Sequence, residues 1–285
     1  MYHIAVIGGD ERQNAAADFL CRKGYIVKTW GLQGINDCAE SMRSIDEAIA
    51  EAEVILLPLP LSRDHVCISG TTLPVDDLLQ KLQPDVEIFG GKIDKPILSK
   101  LSSCVRSVTD YCLDENFMIQ NAIPTAEGAV GVAMKNMKRT IFASHALVVG
   151  FGRIGRMLSS LLRAMGADVT VAARKQTDRT WAEIHGYHAV HTEALEKEMG
   201  QNRFDVIFNT VPAAVLTAKS LKLFRRDALF VELASEPGGF APGAVETAGI
   251  RLVVALSLPG KVAPISAGEM IGKLVYNRLN GGSSL

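Results

Sequence analysis

The 285-residue chain is short of several things, and each shortage excludes a class of function. It has no charge excess: 30 Lys and Arg stand against 31 Asp and Glu, a formal net charge of −1. No electrostatic case exists for nucleic acid or an anionic membrane surface. No uninterrupted apolar run approaches the ~18 residues of a membrane span, although 48% of residues are hydrophobic and a large core is implied. The opening Met1-Tyr-His-Ile-Ala-Val-Ile-Gly-Gly-Asp-Glu-Arg12 lacks a basic segment and turns polar after one short apolar run, so no signal peptide is expected. Cysteine is scarce: Cys21, Cys38, Cys67, Cys104 and Cys112, odd in number and without a C-x-x-C pair. A reduced, cytoplasmic protein whose thiols fill core is the expectation. Histidine is absent beyond His191. His185, His188 and His191 lie close in sequence, but their spacing crosses a helix-to-strand junction and no carboxylate completes a ligand set, so no metal is expected.

What is present is an alternation. His3–Gly8 reads as a strand, and Asp10 is placed to cap a helix over Glu11–Arg22 that ends at Gly24. Strand and helix signals then repeat to Val108, which argues for a parallel sheet with helices on both faces. Pro124-Thr-Ala-Glu127-Gly-Ala opens a helix leading into a second alternating region, with a hinge expected near Asn121–Thr125. The expected organisation is α/β, two doubly wound parallel-sheet domains with a cleft between them. A flavodoxin-like substrate domain covers 1–124 and a dinucleotide-binding Rossmann domain 125–267. A C-terminal helix within 268–285 packs back on the first domain.

The second region carries the most specific motif. His145-Ala-Leu-Val-Val is a buried strand, followed by Gly150-Phe-Gly152-Arg153-Ile154-Gly155 and a helical pattern. Gly150 permits the tight turn, Gly152 lets backbone approach a pyrophosphate, and Gly155 allows close helix–strand packing. The helix N-terminus, with its N–H groups and dipole, then holds phosphates. An NAD-binding fold places an acid at the end of its second strand, ~20 residues beyond the glycines, to take the ribose hydroxyls. Here Ala173 stands there, followed by Arg174, Lys175 and Thr177. A carboxylate would repel a 2′-phosphate, whereas a guanidinium binds it with two bonds. NADP is therefore expected, with NAD as the alternative. Asn209-Thr210-Val211-Pro212, at the end of a later strand, resembles the Asn-Thr-Val-Pro that D-2-hydroxyacid and alanine dehydrogenases carry near the nicotinamide ribose, which implies that Asn209 and Thr210 contact ribose or backbone and that Val211 and Pro212 lie beside them.

Two such domains resemble the D-2-hydroxyacid dehydrogenase and alanine dehydrogenase architecture, and Asn-Thr-Val-Pro strengthens the likeness. The catalytic groups of those enzymes do not carry over. Ser235 stands where their Arg would be, and their late His has no counterpart. Without that His no general base waits for a hydroxyl proton. Glu232 and Glu236 are the candidate proton acceptors.

Glu232-Leu-Ala-Ser-Glu236-Pro-Gly-Gly-Phe240 and Leu256-Ser-Leu-Pro-Gly-Lys261-Val-Ala-Pro-Ile-Ser-Ala-Gly268 resemble segments of the dipicolinate synthase A-subunit family. Ile7-Gly-Gly-Asp10-Glu-Arg12 and Pro124-Thr-Ala-Glu127-Gly-Ala fit the same family, so the likeness covers nearly the whole chain. It implies an NADP-dependent oxidoreductase acting on a CH–CH group. Its reaction is the oxidation of a dihydrodipicolinate-type intermediate of the lysine pathway to dipicolinate during sporulation. It also implies the flavoprotein-like B-subunit of dipicolinate synthase as partner and the cytoplasm of the mother cell as location. A homo-oligomer is allowed for. Aromatisation drives hydride loss from such a ring, so the site needs to hold a small dicarboxylate more than it needs a strong base. Cations at strand ends serve that purpose: Arg12, Arg63, Lys92 and Lys261. The alternatives are that Arg12 pairs with Asp10 or Glu11, and Lys92 with Asp94. Two rivals stand beside this reading. One is an alanine or 2-hydroxyacid dehydrogenase-like enzyme, and the other a nucleotide-binding regulatory protein whose partner performs the chemistry.

Overall fold

The computed structural model describes residues 2–34, 37–195 and 204–281. The chain divides into two compact units, 1–121 together with 263–285, and 122–262.

The first unit opens with β1 (His3–Ile7), α1 (Glu11–Arg22), β2 (Ile26–Trp30), β3 (Glu40–Ser41), α2 (Ile45–Ile49) and β4 (Val54–Leu56). It continues with α3 (Val75–Leu79), β5 (Glu87–Gly90), α4 (Lys95–Cys104) and β6 (Ser107–Asp110). All strand pairs are parallel, in the order β3-β2-β1-β4-β5-β6. Strands buried on both faces need apolar residues at successive positions, and Ile4 to Ile7 are all buried. Alternation sends Ile4 and Val6 to one core, with Ala16, Ala17 and Leu20 of α1. Ala5 and Ile7 go to the other, with Ile45, Leu78 and Ile97. Each such aliphatic burial contributes roughly 1.5–3 kcal/mol.

A long helix, α5 (Glu115–Asn136), carries the chain from the first unit into the second. The hinge expected near Asn121–Thr125 falls inside it, because Pro124 is accommodated within the helix rather than ending it. Proline removes one helical donor, and the rest of the ladder continues on either side.

The second unit contains β7 (His145–Val149), α6 (Arg153–Ala164), β8 (Asp168–Ala172), α7 (Gln176–Ile184), β9 (His188–Val190) and β10 (Val206–Asn209). It closes with α8 (Ala218–Leu221), β11 (Leu229–Glu232), α9 (Ala244–Ala248), β12 (Arg251–Val254) and α10 (Leu258–Val262). Its strand order, β12-β11-β10-β7-β8-β9, is the same doubly wound order as in the first unit, and its pairs are again parallel. Val148 and Phe208 pack on one face with α5 and α6, while Val149 and Phe230 pack on the other. The fold class expected from the alternation is the one observed.

The final helix, α11 (Pro264–Leu279), belongs to the first unit and lies against α1. Glycines permit the approach. A Cβ on Gly268 would stand 2.2 Å from the Arg12 carbonyl oxygen, and one on Gly272 would meet the Phe19 ring. Among the described residues, no helix is long and apolar enough to cross a membrane.

One expectation about the cysteines is corrected. Cys21, in the last turn of α1, is disulfide-bonded to Cys38, with the Cα atoms 6.0 Å apart. The loop after β2 folds back onto α1, where both oxygens of Asp18 accept from the Asp37 N–H and one also from the Cys38 N–H. Nothing in the linear spacing of 17 residues announces that return. Cys67, Cys104 and Cys112 are free thiols.

Candidate active site

The glycine turn of the second unit is built by its neighbours. Gly150 has φ +101°, and a Cβ there would stand 2.3 Å from Thr210 Oγ1. Thr210 cannot retreat, because its hydroxyl donates to the Val149 carbonyl at 2.9 Å. A Cβ on Gly155 would stand 2.1 Å from the Gly150 carbonyl oxygen, so α6 sits directly on the turn. Gly152 differs from both: it is the N-cap of α6, no side chain caps the helix, and a Cβ there would meet nothing within 4 Å. An uncapped helix N-terminus behind open space fits a pyrophosphate. Arg153 and Ile154 form the first turn. Arg156, in the same turn, lies over the Phe151 ring and pairs with Asp178.

At the end of β8, Ala173 is buried and its N–H donates to the Val190 carbonyl. Arg174, Lys175 and Thr177 are all exposed, and Lys175 is the N-cap of α7 with no side-chain cap. Two cations therefore stand at a second open helix end where an NAD-type fold would carry an acid. Sequence reasoning missed Arg179, which donates to the Ala173 and Arg174 carbonyls at 2.9 and 2.7 Å and so fixes the backbone beneath those cations. Its position one turn into α7 was the available signal.

The Asn209–Pro212 segment divides. Val211 is half-buried and Pro212 exposed, but Asn209 is only 1% exposed. Its Nδ2 donates to the Val211 carbonyl and to Glu232 Oε1, and its Oδ1 accepts from the Val211 N–H. Asn209 thus shapes its own turn: of its two expected contacts, ribose or backbone, the structure shows the backbone one. Glu232 is corrected as a candidate proton acceptor. It is 5% exposed, Oε1 also accepts from the Ala234 N–H, and Oε2 accepts from the Gly239 N–H at 2.8 Å. A buried carboxylate with this many donors is a structural bracket rather than a proton acceptor. Asn209 and Glu232 are register partners on β10 and β11, each the last and polar residue of an apolar strand. That pattern was the signal for the pair. Glu236 is exposed.

In the first unit the strand order reverses between β1 and β4, the switch point at which open α/β sheets bind ligands. A cavity of about 740 Å³ opens there, lined by Asp10, Glu11, Asn14, Leu59, Arg63 and Ser69 among others. Arg12 does not line it: of its two expected roles, substrate contact or pairing with Asp10 or Glu11, the structure shows the pairing with Asp10. The side chain turns inward and the residue is 5% exposed. Its Nε and one terminal nitrogen grip the Asp10 carboxylate at 2.8 Å each, and that nitrogen also donates to the Leu59 carbonyl. Burial alone would raise the Asp10 carboxyl, but Arg12, with help from Arg63, holds it below the usual carboxylate value. Arg63 is exposed, with no hydrogen-bond or ion-pair partner among the described residues.

Lys92 is exposed on a loop with φ +51°, and its N–H donates to Asp110 Oδ1. Asp110 also accepts from the Ile93 and Cys112 N–H groups, which brackets the loop. Burial, then Asp110, pushes the Cys112 thiol up to about 12, so it is no ready nucleophile. Lys261 is exposed on α10 of the second unit.

Comparison with known proteins gives the two units separate matches. Residues 3–112 match the N-terminal domain of the dipicolinate synthase A-subunit. Residues 122–236 match the NAD-binding domain of D-isomer specific 2-hydroxyacid dehydrogenases, so the second unit is a dehydrogenase-type dinucleotide domain. The dipicolinate synthase A-subunit of Bacillus subtilis (strain 168) is 28% identical, covering 97% of this chain and 95% of that protein. The crystal structure of the A-subunit from Bacillus halodurans superposes with a TM-score of 0.87 at 26% identity, over 98% of this chain and 97% of that one. The corresponding structure from Bacillus subtilis gives 0.85 at 26% identity, over 98% and 96%. With the first unit matched by the family's N-terminal domain and the whole length aligned, the chain is similar from end to end to dipicolinate synthase A-subunits.

Proposed function

We propose that the chain is the NADP-dependent oxidoreductase component of a dipicolinate synthase, converting a dihydrodipicolinate-type intermediate of the lysine pathway to dipicolinate. The observation that carries this reading is the open, uncapped turn at Gly152 together with exposed Arg174 and Lys175 where an acid would select NAD. In that role the α6 N-terminus holds the pyrophosphate, and Arg174, Lys175 and Thr177 hold the 2′-phosphate. Thr210 keeps the glycine turn in shape, while Val211 and Pro212 flank the nicotinamide ribose. When bound, the dinucleotide supplies a hydride acceptor.

Removing a hydride and a proton from a dihydropyridine ring yields an aromatic one, so a weak base suffices. Exposed Glu236 or a water takes that proton. In the first unit Arg63 and Lys92 are the cations proposed for the substrate carboxylates, with Arg12 acting from behind by setting Asp10 and the Leu59 loop; Lys261 is the second unit's own candidate cation. The flavoprotein-like B-subunit is the proposed partner, and the mother-cell cytoplasm during sporulation the proposed setting. The bracketing of Glu232 favours one second reading, in which the partner completes the acid–base machinery.

The test mixes purified chain, with and without the B-subunit, with freshly generated lysine-pathway intermediate and either NADP⁺ or NAD⁺. Dipicolinate and reduced dinucleotide are followed by absorbance. Equal formation of both with NADP⁺ is expected. Turnover only with the partner supports the composite site, and no turnover in any mixture overturns the proposal.

A further inference from the structure

The cavity wall of the first unit is unusual in which groups it leaves unpaired. Asn14 is 9% exposed, and its Nδ2 donates to the Gln33 carbonyl at 2.6 Å. That bond fixes the amide orientation, because a flipped amide would set two oxygens together. Asn14 Oδ1 is then a buried acceptor with no donor. Ser69 Oγ is likewise buried without a partner. Glu11 and Arg63 line the same cavity, and neither has a partner among the described residues. Asp10 does not add free negative charge, since Arg12 grips it. Arg22, Asp18 and Asp37 line it too, but Arg22 pairs with Glu269 and Asp18 accepts from the Asp37 and Cys38 N–H groups. The wall therefore offers the Arg63 guanidinium with a hydroxyl on one side, and the orphan Asn14 acceptor with the Glu11 carboxylate on the other, Asp37 adding a second exposed carboxylate.

We propose that this cavity selects a reduced nitrogen heterocycle bearing a carboxylate, with its ring nitrogen protonated, and discriminates against the aromatic pyridine dicarboxylate. The inference rests on the proposed substrate class and adds what chooses between precursor and product. The ligand carboxylate takes Arg63 and Ser69. A ring N–H donates to Asn14 Oδ1, with Glu11 balancing the charge. An aromatic ring nitrogen presents a lone pair instead, which faces the Asn14 oxygen and leaves it unsatisfied. A buried polar group deprived of its partner lowers affinity by at least about tenfold. Oxidation passes the hydride to the dinucleotide and the proton to water. The ring nitrogen thereby changes from donor to acceptor, and the product is expelled by the group that held its precursor.

Calorimetric titration of the full chain with two probes, cis-piperidine-2,6-dicarboxylate and pyridine-2,6-dicarboxylate, tests this in metal-free buffer. The piperidine is expected to bind at least about tenfold more tightly. Asn14→Leu should bring the ratio toward one. Glu11→Gln, at an exposed site that leaves the fold intact, should reduce it in the same direction, and Arg63→Ala should weaken both probes alike. Equal or tighter pyridine binding overturns the inference. So does a ratio unchanged in both Asn14→Leu and Glu11→Gln, or no binding of either probe. Turnover without this selectivity would sink the cavity assignment and leave the proposed reaction; selectivity without turnover would do the reverse.

Discussion

Gly152 and Gly155 lie three residues apart on one turn, and alanine at each should fail in opposite ways. At Gly152 the backbone has φ −79° and ψ −160°, which an L-residue adopts, and a Cβ would meet nothing within 4 Å. Removing a glycine from the unfolded ensemble is worth about 0.4–1 kcal/mol. Alanine is a poorer N-cap than glycine by roughly 0.5–1 kcal/mol. These offset, so Gly152→Ala should move the melting temperature of the chain by no more than about 2–4 °C. The same methyl fills the space a pyrophosphate would enter. Losing one or two charge-assisted bonds, at about 1.5–3 kcal/mol each, should weaken NADP by about 10–100-fold or more.

At Gly155 the Cβ would stand 2.1 Å from the Gly150 carbonyl oxygen and 2.9 Å from its carbon, and neither can swing away as a side chain does. Overpacking against backbone should cost about 1–3 kcal/mol, read as a lower melting temperature before any ligand is added. Scanning calorimetry without ligand, paired with fluorescence titration of NADPH, measures both. NADPH binding to Gly152→Ala with parental affinity would refute the argument, because the phosphates would then lie elsewhere.

Arg174→Ala should weaken NADP by about tenfold or more and leave NAD within about twofold, measured by dinucleotide titration; equal losses would remove the 2′-phosphate assignment. Glu232→Gln puts an amide donor against the Gly239 or Ala234 N–H, so it should destabilise the second unit by about 1–3 kcal/mol without moving the pKa values of the pH–rate profile. A shifted profile at unchanged stability would restore Glu232 as a proton acceptor. The depressed Asp10 carboxyl contributes stability that is present above its ordinary value of about 4 and is lost as pH falls through its lower folded value. The acid limb of a melting-temperature curve should therefore flatten in Asp10→Asn, whose stability above that range should be lower because Arg12 is left without its partner. Cys112, with its thiol at about 12, should resist iodoacetamide at mildly alkaline pH while exposed Cys104 is alkylated, as peptide mass mapping would show.

Local signals carried the fold and half of the candidate site. The Asp10 cap of α1, the apolar strands and the three glycines each act within a few residues of themselves, so their consequences are legible in order along the chain. What was not legible depends on register or return. Asn209 and Glu232 are 23 residues apart and meet only because β10 and β11 pair in one register. Cys21 meets Cys38 only because the loop after β2 folds back onto Asp18. Arg12 reads equally as a strand-end cation or a partner of Asp10, and the choice is fixed only when Leu59, from the loop after β4, supplies a carbonyl that draws it inward.

The two sheets show why a motif and a topology carry different information. Both units have the same doubly wound strand order, so both create a switch-point crevice. In the second, Gly150-Phe-Gly152-Arg-Ile-Gly155 leaves a helix N-terminus open, and the crevice can take phosphate. In the first, Gly8-Gly9 is followed by Asp10, whose carboxylate already accepts from the Arg12 N–H at the start of α1. The helix end that would hold an anion is closed by the chain itself, and Arg12 neutralises the charge that closes it. A phosphate is thereby excluded from one copy of a phosphate-binding topology. The crevice beside it is left to a small ligand that Arg63, Glu11 and Asn14 can tell apart by where it carries its protons. The Asp10–Arg12 pair is therefore a positioning device: it acts through the cavity it shapes rather than through a contact with what the cavity holds.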